Sequence, residues 1–266
     1  MDYKELCKQV QKIARETGDF IRREQKNITD KNIEIKSVAS LVTYVDKTAE
    51  QRIVAALREL IPGSGFVAEE GTADTNNEKY TWFVDPLDGT TNYLFGIAPH
   101  SVSIGLAEDG KMVLGVVYEI GADEMFYAWK DSSANLNGTE IHAAKRSNAE
   151  ETLIATGFPY YDFDRIDDYI DALKYLMKHT LGLRRFGSAA VDLCYVACGR
   201  FDAFYEHALH AWDVAAGVFI LEQAGGRTTD FNGGDNWLFG GQIISASESF
   251  FPEFYPIIHR HLGEKK

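Results

Sequence analysis

The chain has 266 residues, 45% hydrophobic and 25% charged, enough to bury a full core in one large domain or two fused lobes. Its formal net charge of −13 argues against a nucleic-acid backbone as partner, and no run of about 18 apolar residues offers a membrane span. Three scattered cysteines (Cys7, Cys194, Cys198) make no disulfide framework, and the polar start Met1-Asp2-Tyr3-Lys4-Glu5 is no signal peptide, so a reducing cytoplasm is expected.

Residues 5–25 carry Leu6, Val10, Ile13, Phe20 and Ile21 at helical spacing, which predicts an amphipathic helix. Residues 47–61 repeat the pattern with Ile53, Val54, Leu57 and Leu60, until Pro62, Gly63 and Gly65 stop it. Strands dominate from 81 to 143. Thr81–Val84 suits a buried strand, and 102–106, 112–120 and 124–130 read as an antiparallel meander turned at Asp109-Gly110. Beyond residue 150 the pattern alternates: strand 152–157, helix 164–179, strand 183–186, helix 188–198, strand 201–206, helix 213–224 ending at Gly225-Gly226, strand 241–246 and a helix over 248–262. Cys194 and Cys198 fall four apart in an apolar stretch and read as helical core. The expected architecture is a layered mix of helices and sheets in two fused lobes, 1–150 and 151–266, the first carrying an acidic loop and the second completing the site.

The most informative stretch is Asp85-Pro86-Leu87-Asp88-Gly89-Thr90-Thr91-Asn92, directly after a predicted strand. Pro86 stiffens the backbone and Gly89 permits a tight turn. The amides of Gly89 and Thr90, at a helix start, offer a phosphate cradle. Hard cations prefer oxygen, and Asp85, Asp88 and the Leu87 carbonyl supply three such ligands within four residues. The segment 66–92 holds Glu69, Glu70, Asp74, Glu78, Asp85 and Asp88 against one base, Lys79, a cluster that repels itself unless a cation offsets it. Taken singly, Asp-Pro and Asp-Gly are turn words and Glu69-Glu70 is a solvated loop. A second stretch, Trp212-Asp213-Val214-Ala215-Ala216-Gly217, places Asp213 at a helix head, either as N-cap or as a further carboxylate of the cluster.

Together these stretches resemble the two signature motifs of the inositol monophosphatase family. Glu69-Glu70, Val42-Thr43-Tyr44-Val45-Asp46 and Gly187-Ser188-Ala189-Ala190 match in the family's order, so the resemblance covers nearly the whole chain. It implies an α+β fold, a layered α-β-α-β-α sandwich, assembled as a homodimer. It implies two or three Mg²⁺: Glu69, Asp85 and the Leu87 carbonyl resemble the ligands of the first, and Asp85, Asp88 and Asp213 those of the second. Gly89 and Thr90 would hold the phosphate, and Asp88, Ala189, Glu206 and Asp213 the alcohol. Lithium sensitivity is implied as well. Ser40 stands where the family often has Asp, and Asp131–Asn135 replaces a glycine-rich turn; neither position supplies a metal ligand.

The implied reaction is hydrolysis of a small polyol phosphate monoester, foremost myo-inositol monophosphate, by direct attack of metal-activated water. Glu69, or Thr90 with its hydroxyl toward Asp46, is the candidate for activating that water. No Ser-His or Cys-His pair points to a covalent intermediate. Relatives that act on fructose 1,6-bisphosphate, NADP or 3′-phosphoadenosine 5′-phosphate keep other substrates open, though Thr91-Asn92 favours the inositol branch. A non-catalytic cation-binding protein is the alternative of a different class; it has no use for Thr90 and its amides. His207-x-x-His210 reads as packing or surface, Lys36 as a loop lysine near the metals, and Arg184-Arg185 as a substrate, dimer or surface contact.

Overall fold

The computed structural model describes residues 1–27, 33–37, 40–71, 78–159 and 163–264, with only the backbone of 33–37 and 40–42. Two sheets organise the chain. The first holds seven strands in chain order: β3 (Gly65–Ala68), β4 (Tyr80–Asp88), β5 (Ser101–Glu108), β6 (Lys111–Glu119), β7 (Glu124–Trp129), β8 (Asn135–Leu136) and β9 (Thr139–Glu140). From β4 onward it is the expected antiparallel meander, while β3 runs parallel to β4. The second sheet has the order β11-β10-β12-β14-β13, built from β10 (Leu153–Thr156), β11 (Gly182–Arg184), β12 (Ala203–His207), β13 (Gly226–Thr229) and β14 (Gln242–Ser247). A hairpin of β1 (Ile33–Ser37) and β2 (Ser40–Thr43) stands apart from both.

Side chains on successive strand residues face opposite ways, and the core shows it. On β4, Trp82 and Val84 join a cluster with α1 (Tyr3–Glu24) and α2 (Tyr44–Leu60), while Phe83 faces Ala211 and Ala215 of α6 (Ala211–Gln223). On β12, Phe204 packs with α6 and α5 (Ala189–Ala197), and Ala203 and Tyr205 pack with α4 (Ile166–His179) and α7 (Phe251–Leu262). The result is five layers: α1 and α2, the seven-stranded sheet, α5 and α6, the five-stranded sheet, α4 and α7. This is the α+β sandwich of alternating helix and sheet layers expected from the resemblance. Among the described residues no helix is long and apolar enough to cross a membrane.

Several elements differ from the sequence expectations. Strands β1, β2, β3 and β13, of four or five residues each, are absent from the periodicity reading. Helix α2 starts at Tyr44, three residues early, because Thr43 and Asp46 form a capping box there. Asp46 is thus a helix residue.

Glycines bring the middle helices close. Gly105 of β5 lies opposite Gly115 of β6. A methyl group on Gly115 would stand 2.6 Å from the Ala216 carbonyl oxygen, and one on Gly105 would be 3.3 Å from Ala215 Cβ. Backbone of α6 therefore rests on backbone of the sheet.

At the far edge, Glu108 ties α1 to the meander. It accepts hydrogen bonds from Tyr3 Oη at 2.7 Å, Tyr80 Oη at 2.9 Å and Lys79 Nζ at 3.1 Å. The Tyr3 hydroxyl foremost, then Tyr80 and Lys79, hold its carboxyl down to about 2. A carboxyl depressed on folding stabilises above its unfolded range, near pH 4.3, and loses that contribution as pH falls toward the folded value. Glu108→Gln is therefore expected to lower the melting temperature at pH 6 and to flatten its fall between pH 5 and 2.5. Equal slopes for variant and parent would refute the tie.

Candidate active site

The signature stretch is the end of a strand, where the sequence reading placed it just beyond one. Strand β4 continues to Asp88, but its register against β5 shifts between Asp85 and Asp88. Pro86 has no N–H for the ladder, which accounts for the irregularity. The bulge leaves Asp85 2% exposed, its Oδ1 accepting from Leu87 N at 2.9 Å. Gly89 then turns the chain at φ +87°, and a short helix α3 (Thr90–Leu94) begins. A side chain at Gly89 would meet the carbonyl oxygens of Pro99 and Gly187 as well as the left-handed backbone penalty.

Thr90 and Asp46 meet. Asp46 Oδ2 accepts from Thr43 N at 2.9 Å and from Thr43 Oγ1 at 2.7 Å, which aims Oδ1 outward. Thr90 Oγ1 lies 3.1 Å from that Oδ1 and 3.0 Å from the Leu87 carbonyl oxygen. Burial raises the Asp46 carboxyl, and its hydrogen bonds partly offset this.

Asp88 and Asp213 arrive from opposite ends of the chain. Asp88 Oδ2 accepts from Ser188 Oγ at 2.6 Å and from Ala190 N at 2.9 Å, so it caps α5. Ala189, expected at the alcohol, lies in that same first turn, and its amide also serves Asp88. Asp213 is not the N-cap residue of α6. His210 takes that position, and Asp213 is the third helical residue, accepting from His210 N at 2.6 Å. Glu69 follows β3 directly, and its N–H bonds the Val84 carbonyl, which sets it beside the Asp85 end of β4.

The electrostatics bind these segments into one site. Burial foremost, then Glu69, Asp88 and Asp213, push the Asp85 carboxyl well above the usual range. Asp213 is raised by burial, then by Asp88, Glu69 and Glu206. Burial lifts Asp88 to about 6. Four carboxylates from three distant segments thus sense one another, as like charges in a poorly solvated place do.

A sequence profile of the inositol monophosphatase family matches residues 2–262. The chain belongs to the inositol monophosphatase family. An inositol-1-monophosphatase from Mesorhizobium japonicum is 36% identical over 236 residues, covering 88% of this chain and 89% of that protein. A protein named Nus factor SuhB from Pseudomonas aeruginosa is 37% identical over 254 residues, 94% of each chain. The solved inositol monophosphatase of Anabaena superposes with a TM-score of 0.86 at 30% identity, covering 98% of both chains.

The family is generally Mg²⁺-dependent, and the donors here fit such an ion in kind. Asp85, Asp88, Asp213, Glu69 and the Leu87 carbonyl offer only hard oxygen atoms, and the carboxylates carry mutual repulsion that a cation relieves. Among the described residues, no three His, Cys, Asp or Glu side chains are gathered as a ready metal cage. The carboxylates face one another at electrostatic range.

Beside this carboxylate cluster stands a wall only part of which is legible in the sequence. Glu206 of β12 is buried, its carboxylate pressed against Gly157, where any β-carbon would collide with it. Neither Gly157 nor Asp192, a buried carboxyl in the otherwise apolar α5, was a sequence candidate. The available signal for Asp192 was one acidic residue in the run Ala-Ala-Val-Asp-Leu-Cys. The arginine pair separates: Arg184 is exposed and bonds the Leu183 carbonyl, while half-buried Arg185 acts on Asp88, Glu206 and Asp192. His210 stacks on Trp212 at 4.6 Å, in keeping with a packing role. Lys36 lies on β1, where side chains are outside the description, and Asp74 is outside the described residues.

Proposed function

We propose that this family member hydrolyses the phosphate monoester of a small polyol, myo-inositol monophosphate foremost, with Mg²⁺ as cofactor. The convergence of Asp85 with Glu69, Asp88 and Asp213 supports this reading above any other single observation. Glu69, Asp85, Asp88, Asp213 and the Leu87 carbonyl hold the metal. When bound, Mg²⁺ supplies positive charge against the charge that builds on the phosphoryl and leaving oxygens. The chain's own residues do the rest. The amides of Gly89 and Thr90 orient the phosphate. Thr90 Oγ1 carries one proton between two acceptors, Asp46 Oδ1 and the Leu87 carbonyl, so the Thr90–Asp46 pair can take a proton from the attacking water. Glu69 orients that water. Glu206 accepts hydrogen bonds from vicinal hydroxyls of the polyol.

A substrate panel tests the reading: phosphate release from inositol 1-phosphate, fructose 1,6-bisphosphate, 3′-phosphoadenosine 5′-phosphate and p-nitrophenyl phosphate, with Mg²⁺ and with chelator. Inositol 1-phosphate should lead, and chelator should abolish every rate. Glu206→Gln should lower kcat/KM for inositol 1-phosphate relative to p-nitrophenyl phosphate by about 1.5–3 kcal/mol, the range for a hydrogen bond to a charged group. Strong activity in chelator, or an unchanged ratio, would overturn the respective assignment. The relatives named Nus factor SuhB match over the same length and support a second reading, a Nus factor role. A folded chain inert on the whole panel would favour it.

A further inference from the structure

Helix α2 buries two carboxyls on the face it turns to the core. Asp46 and Glu50 stand four residues apart, about one helical turn, so both side chains leave the same face. The other buried residues of that face, Val45, Ala49, Ile53, Val54 and Leu57, are all apolar. Burying a carboxyl there costs stability that an apolar side chain would not, unless a donor meets it. A donor meets each. Thr90 Oγ1 lies 3.1 Å from Asp46 Oδ1. Glu50, fully buried, accepts from Glu70 N at 2.7 Å.

The second bond bears on Glu69 through the backbone. Peptide units are planar, so a residue's conformation is set once the units on both sides of its Cα are fixed. The unit before the Glu69 Cα contains Glu69 N, which donates to the Val84 carbonyl at 3.2 Å. The unit after it contains Glu70 N, which Glu50 holds. The turn's own closing bond, from Gly71 N to the Ala68 carbonyl, is longer at 3.4 Å, so the turn alone fixes these units less firmly. With both units tied, φ and ψ of Glu69 are set, and with them the direction of its side chain. The Val84 carbonyl belongs to the peptide unit that leads into Asp85, so one tie refers Glu69 to Asp85 and the other refers it to α2. We infer that Glu50 is a positioning residue for Glu69: its carboxyl, holding the Glu70 amide, fixes the direction from which Glu69 meets the cation it would share with Asp85. Helix α2 then supports Thr90 through Asp46 and Glu69 through Glu50. The inference rests on Glu69 as a metal ligand.

The test is Mn²⁺ binding to the substrate-free protein, with free Mn²⁺ counted by electron paramagnetic resonance. Mn²⁺ shares the preference of Mg²⁺ for oxygen ligands. Glu50→Met keeps the approximate length and bulk of the side chain and removes the acceptor. It should weaken Mn²⁺ binding about tenfold or more, as loss of a group that orients a ligand does. Glu50→Gln keeps an acceptor oxygen at the same reach and should restore most of the affinity. A role confined to packing lowers the melting temperature in chelator and leaves the Mn²⁺ affinity of the folded protein alone. Parent-like affinity in folded Glu50→Met therefore overturns the inference, and so do equal losses in Glu50→Met and Glu50→Gln. Should Glu50→Met not fold, Glu50→Asp, one methylene short of the Glu70 amide, carries the test with the same expected loss, and unchanged affinity overturns it. The metal-free parent gives a readout without any variant: the Glu70 amide should be protected from hydrogen exchange, and exchange at the rate of an open loop removes the tie. Glu69→Gln is the control for the underlying reading. If it too binds Mn²⁺ as the parent does, Glu69 is no ligand, and the inference falls with that reading.

Discussion

Asp85→Asn is expected to cut turnover by roughly 10³-fold or more while leaving the metal-free fold as stable as the parent's or firmer. Asp85 is 2% exposed, and its carboxyl is raised by burial, then by Glu69, Asp88 and Asp213. A carboxyl raised on folding stabilises the fold below its unfolded range, near pH 4, and loses that contribution as pH climbs toward the folded value. At neutral pH, without metal, the charge at Asp85 therefore works against folding. The amide removes that charge yet keeps an oxygen for Leu87 N, which donates to Asp85 Oδ1 at 2.9 Å. Activity needs the charge, because both proposed metal positions draw on this residue. Turnover of p-nitrophenyl phosphate with Mg²⁺ and melting in chelator at pH 7 measure the two effects. A folded variant with near-parent turnover would remove Asp85 from the catalytic centre, and a large drop in melting temperature would show that the carboxylate serves the fold.

Gly115→Ala should damage both stability and activity, although Gly115 lies on a sheet strand outside the signature motifs. The added methyl would stand 2.6 Å from the Ala216 carbonyl oxygen and 3.2 Å from Ala216 Cα, and backbone atoms cannot swing aside as a side chain does. Helix α6 must rise from the sheet. Overpacking of this kind costs about 1–3 kcal/mol. The same helix carries Asp213 in its first turn, so the displacement reaches the carboxylate cluster. A misplacement of about 1 Å at a catalytic group can cost roughly 10²-fold. The companion Gly105→Ala meets Met112 Cε at 2.9 Å, the far end of a flexible side chain, and Ala215 Cβ at 3.3 Å, so its effect should be smaller. Melting and kcat on both variants check the order. A Gly115→Ala variant that melts like the parent would show that α6 does not depend on this contact.

Elements whose period is long and clean, and residues whose chemistry is local, are legible in the amino-acid order alone. The amphipathic run of α1, the meander from β4 to β7 and the alternating second half were legible because hydrophobic spacing follows directly from strand and helix geometry. Asp85, Asp88, Gly89 and Thr90 were legible because one turn holds them together, and the resemblance then attached Glu69, Asp46, Glu206 and Asp213 to them. Strand β13 (Gly226–Thr229) holds no large apolar residue, so hydrophobic spacing could not mark it.

Which charges meet depends on how distant segments pack. Ser188 and Asp88 lie 100 positions apart in the chain, and Thr90 and Asp46 lie 44 apart, yet each pair is joined by a hydrogen bond. Taken alone, Asp213 read as either a cap or a carboxylate of the cluster; the structure gives the N-cap position to His210, and Asp213 senses the charges of the cluster. Gly157 looked like any glycine until Glu206 was found against it, and Asp192 like a stray acid in an apolar helix. The physical reason is common to all of them. Period and turn chemistry act over a few residues, whereas burial and Coulomb interaction depend on which layers close over which side chains, and here the glycines beneath α6 set how closely those layers approach.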